Sequence, residues 1–195
     1  MPRKHDGHEK ARHENTQARN RLQEKAPFTI VSARSDDLAR YLDLLEGVAD
    51  WLELRGIRQW PRGTFRRSAE FYAQSITQEE VQLAFIADQL VGTLRVLLRE
   101  PIVWPEIVEA DAIYVYNLAV KRAWAELGLG GRMLDWACIR AASLGRRYVR
   151  LDCLANNDFL CDYYTRTGFG DRGEIEAHFP PPVGALLLRR YEKRV

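Results

Sequence analysis

Gly128, Gly130 and Gly131 fall within four positions and stand at the head of a segment that reads as a helix to Leu144. Glycine at a strand-to-helix junction costs chain entropy, so three together imply positive φ or a close approach to the main chain. The opening turn of a helix offers unpaired N–H groups and the positive end of the helix dipole, which makes a phosphate the first candidate ligand. A Walker loop would follow its last glycine with Lys-Ser/Thr to reach the outer phosphates and Mg²⁺, but Arg132-Met133 stand there. A dinucleotide fingerprint, G-x-G-x-x-G/A, also fails. Met133 takes its sixth position, and seven residues separate Val120 from Gly128 where that fold uses a tight turn.

Other chemistries are poorly supplied. Three of the four histidines (His5, His8, His13) lie in the polar first segment, leaving His178 in what reads as a loop before "FPPP". Cys138, Cys153 and Cys161 show no C-x-x-C spacing, and their odd number speaks for reduced thiols rather than a disulfide scaffold or zinc site. Cys161 reads as a small core residue of an amphipathic helix, not a nucleophile. No G-x-S-x-G elbow is present for Ser-His-Asp chemistry.

The elements that must position the glycine turn follow from periodicity. Residues 1–26 are polar, charged and aperiodic, and are expected to form a flexible extension before a single domain, 27–195. "FTIVSA" (28–33) reads as a strand. Ser35 is expected to cap a helix whose apolar residues, Leu38 to Leu52, recur at helical spacing up to Gly56. Thr64 is expected to cap a second helix to about Ser75. "VQLAFIA" and "LVGTLRVLL" form an antiparallel hairpin around Asp88-Gln89, and "AIYVYNLAV" (112–120) is a buried strand. Strand 148–154, a helix from Asn157 to Thr167 and a last strand over 185–193 complete a mixed α/β sheet covered by helices.

Composition sets the remaining bounds. The 195 residues are 46% hydrophobic and 29% charged, enough for one full core. Of the net +2, the first 25 residues carry +3 and the rest −1, so bulk attraction for nucleic acid or anionic membrane is not expected of the body. No apolar run approaches 18 residues and the N-terminus lacks a secretory apolar core, so a cytoplasmic location is expected.

"LAV" at 118–120, "GLGGRML" at 128–134, Asn157 and "YYTRTGF" at 163–169 resemble, in order and spacing, the GNAT superfamily of acetyl-CoA-dependent N-acetyltransferases. The resemblance covers about residues 28–193. The family's pyrophosphate loop, R/Q-x-x-G-x-G/A, here reads Ala125-Glu126-Leu127-Gly128-Leu129-Gly130, with Ala125 in place of the leading Arg/Gln. The resemblance implies a mixed, mostly antiparallel sheet whose central parallel strands splay apart around coenzyme A. Backbone N–H groups of Leu127, Gly128, Leu129, Gly130 and Gly131 would surround the diphosphate, glycine keeping a Cβ out of its way, and Arg122 or Arg132 would supply the missing side-chain contact. The main chain of Leu118, Ala119 and Val120 would hold the pantetheine arm as an added strand, with Asn157 bonding the same arm. A bulge would turn the Leu118 N–H into an oxyanion donor.

The resemblance further implies direct transfer of an acetyl group to a primary amine in a ternary complex, with Tyr164 protonating the leaving thiolate. Many relatives place a glutamate base where Tyr114 and Tyr116 stand here. Asp152, on the adjacent strand, can accept the amine proton directly or through water, or else pair with an arginine such as Arg150. The acceptor, a small-molecule amine or a peptide N-terminus, would bind near the first two helices, where Trp51, Trp60 and Trp104 are candidate walls. Family members are often homodimers. The rival reading is a non-catalytic acyl-CoA-binding sensor on the same fold.

Overall fold

The computed structural model describes residues 27–57, 59–180 and 183–195. The expected N-terminal extension, 1–26, lies outside them. Seven strands form one sheet: β1 (Phe28–Ser32), β2 (Val81–Ile86), β3 (Gln89–Leu97), β4 (Ala112–Val120), β5 (Tyr148–Leu154), β6 (Gly170–Phe179) and β7 (Gly184–Arg194). Their spatial order is β1-β2-β3-β4-β5-β7-β6, and only β4 and β5 run parallel. The helices are α1 (Leu38–Leu54), α2 (Thr64–Arg67), α3 (Ala69–Thr77), α4 (Leu129–Ser143) and α5 (Asp158–Arg166).

Both faces of the sheet are covered, which is why the central strands read as near-continuous apolar runs. On one face Tyr41, Leu42, Leu45 and Ala49 of α1 pack with Phe65, Tyr72 and Ile76 onto Val81, Leu83, Leu90 and Ala119. On the other, Leu129, Met133, Leu134, Ala137 and Ala141 of α4 and Cys161 and Tyr164 of α5 cover Leu94, Ile113, Val115, Leu151 and Cys153. Each such large side chain contributes about 1.5–3 kcal/mol on burial. Gly92 lets α4 settle closely, since a Cβ there would meet Ala119 O and Met133 Cε at 2.9 Å. A third cluster seats Val103 and Trp104, from the β3–β4 loop, against Ala112, Tyr114, Ala177 and Leu188.

Three expectations need correction. Strand β6 was absent from the sequence pattern, because "GDRGEIEAHF" carries two glycines and five charged or titratable residues and buries only Ala177. It is an edge strand held by its ladder to β7 and by the Arg189–Glu174 pair at 2.6 Å. His178 therefore lies in a strand, beside Glu176, not in a loop. The second helix is broken at Ser68 into α2 and α3, and it is entered through Gly63 at φ +70° instead of being capped by Thr64. The buried Glu46 of α1 supplies the cap, its carboxylate accepting from the N–H groups of Gly63 and Arg66 at 2.8 Å each. Ser35 is likewise not a cap: it opens a short 3-10 turn in which the Asp37 carboxylate accepts from Arg34 N–H at 2.8 Å.

Candidate active site

The parallel ladder between β4 and β5 runs from Ala112↔Tyr148 to Val115↔Leu151 and stops. Beyond it β4 continues to Val120 paired only with β3, and β5 continues to Leu154 paired only with β7. A wedge-shaped gap opens there, and α4 starts at its mouth. At this point β4 also carries an extra residue against β3: Tyr116 pairs with Arg95 and Ala119 with Thr93, so Asn117 and Leu118 have no register partner on either side. Asn117 takes up the bulge with φ +48°, a left-handed conformation that asparagine tolerates better than most residues. Asn117 and Leu118 thus fall out of register with β3 at the level where the β4–β5 ladder has ended.

The glycine turn follows β4 in the chain, and α4 begins at Leu129. Gly128, at φ +64°, is the N-cap of α4, and the helix's first own hydrogen bond runs from Arg132 N–H to Gly128 O at 3.2 Å. The N–H groups of Leu129, Gly130 and Gly131 precede that bond and are the unpaired donors of the helix start. Open space lies where a Cβ would stand at Gly128 and Gly131. At Gly130 the reason for glycine differs from the expected one: a Cβ would fall 2.5 Å from the Tyr163 hydroxyl. Tyr163 thus sets its phenol against the turn, and nothing in its sequence position signals this.

The two guanidiniums considered in place of Arg/Gln at 125 flank the turn on aromatic rings. Arg122 lies 3.7 Å from the Trp51 ring centroid and Arg132 lies 4.1 Å from that of Phe28. Neither has an ion-pair partner among the described residues, so both charges are available to an anion at the turn. Trp51 is therefore a half-exposed stacking platform, while Trp104 is buried core and Trp60 packs edge-on against Phe65.

Asn157 is already engaged: its Oδ1 accepts from Leu160 N–H at 3.2 Å as the N-cap of α5, and its Nδ2 donates to Gln59 Oε1 at 3.0 Å. One amide proton remains for another acceptor.

Tyr164 is buried between Phe169, Tyr191 and Tyr163, and burial, then the neighbouring Cys153 and Asp152, pushes its phenol well above the usual range. Asp152 lies on the opposite face of β5. It does not pair with Arg150, whose guanidinium is consumed by Glu192 at 2.7 Å, Asp111 at 2.9 Å and the Tyr114 hydroxyl at 3.2 Å. Part of Asp152 remains accessible, but its carboxyl is surrounded by protein. Burial and then the charge of Glu100 push it up to about 7, opposed by the Tyr116 hydroxyl, which favours the ionised form. The phenol's geometry falls short of a full hydrogen bond, and its buried oxygen is left unpartnered. An aspartate titrating near neutrality, unpaired and beside the gap, can take a proton from an amine.

Residues 45–169 match the acetyltransferase (GNAT) family. The uncharacterized N-acetyltransferase YesJ of Bacillus subtilis (strain 168) is 32% identical over 147 residues, 73% of this chain and 81% of YesJ. The fold is similar to that of a GNAT-family acetyltransferase from Listeria monocytogenes, with TM-score 0.70 at 24% identity, covering 86% of this chain and 95% of that one. It is also similar to yncA of Salmonella typhimurium, solved with its cofactor acetyl-CoA, with TM-score 0.61 at 13% identity over 87% of this chain and 94% of that one. The split parallel pair, the glycine-capped helix at its mouth and these likenesses agree: the chain is an acyltransferase and belongs to the acetyltransferase (GNAT) family.

Proposed function

We propose that the protein transfers an acetyl group from acetyl-CoA to a primary amine by direct attack within a ternary complex. The observation that carries this reading is the end of the β4–β5 ladder at Val115↔Leu151 together with the start of α4 at the gap so opened. The residues fit coenzyme A. Leu129, Gly130 and Gly131 offer N–H donors to a diphosphate, with Leu127, Gly128 and the charge of Arg132 beside them. Leu118, Ala119 and Val120 offer an unpaired strand edge on the β5 side to an extended amide chain, and Asn157 retains a donor for it. When bound, acetyl-CoA supplies a thioester whose carbonyl carbon forms the new C–N bond as its C–S bond breaks.

The chain's own residues do the rest. Asp152 accepts the proton that the amine loses, directly or through one water, and is ionised for that task above about pH 7. The Leu118 N–H, out of register in the bulge, donates to the carbonyl oxygen as negative charge grows on it, a contribution of about 2.7–4 kcal/mol per donor in other enzymes. Tyr164 gives its proton to the leaving sulfur. A buried phenol does not release a proton to water, but a thiolate desolvated in the same place is base enough to take it. Three free cysteines suit a reducing, cytoplasmic setting, and a homodimer belongs to the same reading.

Steady-state release of thiol from acetyl-CoA over a panel of primary amines tests the proposal. Turnover with at least one amine, and a fall in kcat of about 10²-fold or more in Tyr164→Phe with unchanged coenzyme affinity, is expected. Tight binding of coenzyme A without turnover on any amine would make the protein an acyl-CoA sensor instead.

A further inference from the structure

The proposed chemistry names no acceptor, and a group of side chains beside the gap bears on that question. Tyr116 and Asp152 are the residues that would pair next if β4 and β5 stayed together after Val115↔Leu151. Alternation along each strand puts both on the face of Tyr114 and Arg150, whose side chains meet at 3.2 Å. Glu100 reaches the same place from the β3–β4 loop, where its Oε1 accepts from Ile102 and Val103 N–H at 2.9 and 3.1 Å. The Tyr116 hydroxyl lies under the charges of both carboxylates, buried and without a hydrogen-bond partner.

The cations nearby have other partners, although Arg95 and Arg190 each keep a buried Nε without one. Arg150 holds Asp111 and Glu192. Arg190, the register partner of Asp152 on β7, holds Glu106 at 2.7 Å. Arg95 on β3 lies between the rings of Phe71 and Tyr116, with its Nη1 on Ser75 at 3.1 Å and Glu80 at 3.9 Å. From the other face of the sheet Asp152 is met by the Tyr164 phenol and the Cys153 thiol, and Arg189, whose charge reaches that thiol, holds Glu174 at 2.6 Å. Among the described residues, then, Glu100 and Asp152 have no ion-pair partner. Two carboxylates brought around an orphaned phenol are stable only if a cation or protons complete them.

Resting on the transferase reading, we propose that Glu100 and Asp152, on either side of the Tyr116 hydroxyl, seat the ammonium group of the acceptor. The acceptor is therefore a cationic primary amine with no carboxylate on the carbon that bears the nitrogen. The three N–H bonds of the ammonium meet three acceptors, one oxygen from each of Glu100, Asp152 and Tyr116. Asp152 takes one ammonium proton and passes it to water, which frees the nitrogen lone pair at the edge of the gap. Once the C–N bond has formed, Asp152 takes the second proton the nitrogen must lose, and Glu100 and Tyr116 keep the nitrogen in place throughout. A carboxylate on the adjacent carbon would add a third negative charge to the seat, where the guanidiniums of Arg95 and Arg190 are already bonded to Ser75 and Glu106.

The test follows the Asp152 carboxyl by ¹³C NMR in the wild type, Glu100→Gln and Tyr116→Phe, with and without n-butylammonium chloride. Thiol release is measured alongside on matched amines, tyramine with tyrosine and 2-phenylethylamine with phenylalanine. Glu100→Gln keeps an Oε1 acceptor for the loop, and unchanged coenzyme A affinity verifies that each variant is folded. The Asp152 midpoint is expected near 7 in the wild type, lower in Glu100→Gln, and lowered by n-butylammonium only when Glu100 is present. The amine without the carboxylate should be preferred about tenfold or more in kcat/KM, the equivalent of ~1.4 kcal/mol. A midpoint indifferent to both Glu100→Gln and n-butylammonium overturns the seat, as does preference for the amino acid of each pair. A responsive midpoint in a protein that turns over no amine keeps the seat and removes the transferase. Turnover with an indifferent midpoint does the reverse.

Discussion

Alanine at position 130 should destabilise the protein only while Tyr163 keeps its hydroxyl. An ideal Cβ there lies 2.5 Å from Tyr163 Oη and 3.5 Å from its Cζ. The first distance is a clash and the second an ordinary contact. The tyrosine has limited room to retreat, because its ring stands edge-on against Tyr164 with centroids 5.5 Å apart. Overpacking of this kind costs about 1–3 kcal/mol. Position 130 is helical and has no positive φ, so alanine also gains about 1 kcal/mol of helix propensity. The net expectation for Gly130→Ala is a loss of about 0–2 kcal/mol, and in a Tyr163→Phe background a gain of about 1 kcal/mol. Urea unfolding of the four proteins closes the cycle, with an expected coupling of about 1–3 kcal/mol. Additivity to within about 0.5 kcal/mol would refute the claim that this glycine is reserved for the tyrosine hydroxyl.

Two further outcomes are expected. Asp152 titrates near 7 in the folded protein and near 3.9 when unfolded. Between those values the folded state keeps a proton that the unfolded chain has lost. Its stabilising contribution is therefore complete below about pH 4 and disappears as the pH rises to 7. Asp152→Asn should flatten this decline in urea midpoints measured from pH 4 to 8, and parallel curves for the two proteins would contradict it. Asn157→Ala removes the cap to Leu160 N–H and the bond to Gln59, and should lower stability by about 1 kcal/mol in thermal unfolding. A loss below about 0.3 kcal/mol would show that α5 does not depend on that cap.

The glycine turn, the helix behind it and the strands around it were legible because they rest on local signals: apolar periodicity, glycine at a junction, aromatic alternation at Tyr114 and Tyr116. What stayed hidden depends on which strand lies beside which. The bulge at Asn117-Leu118 exists only relative to β3; the resemblance implied one in this strand, but no property of "YNLAV" itself announces it. The availability of Asp152 was equally invisible, since it follows from Arg150 being bound by two other acids distant in sequence, Asp111 and Glu192. Glu100 lies in the loop between β3 and β4, which no periodic pattern marks. The edge strand β6 escaped because edge strands carry polar residues on both faces. The cap from Glu46 to α2 escaped because a carboxylate seventeen residues away supplies what the local Thr64 does not.

A crystal structure with coenzyme A bound tests the central claim most directly. The diphosphate oxygens should lie about 2.7–3.2 Å from the N–H groups of Leu129, Gly130 and Gly131, with the pantetheine amides running along Leu118 to Val120. A diphosphate seated away from this turn, with β4 and β5 closed on each other beyond Val115 and Leu151, would contradict it.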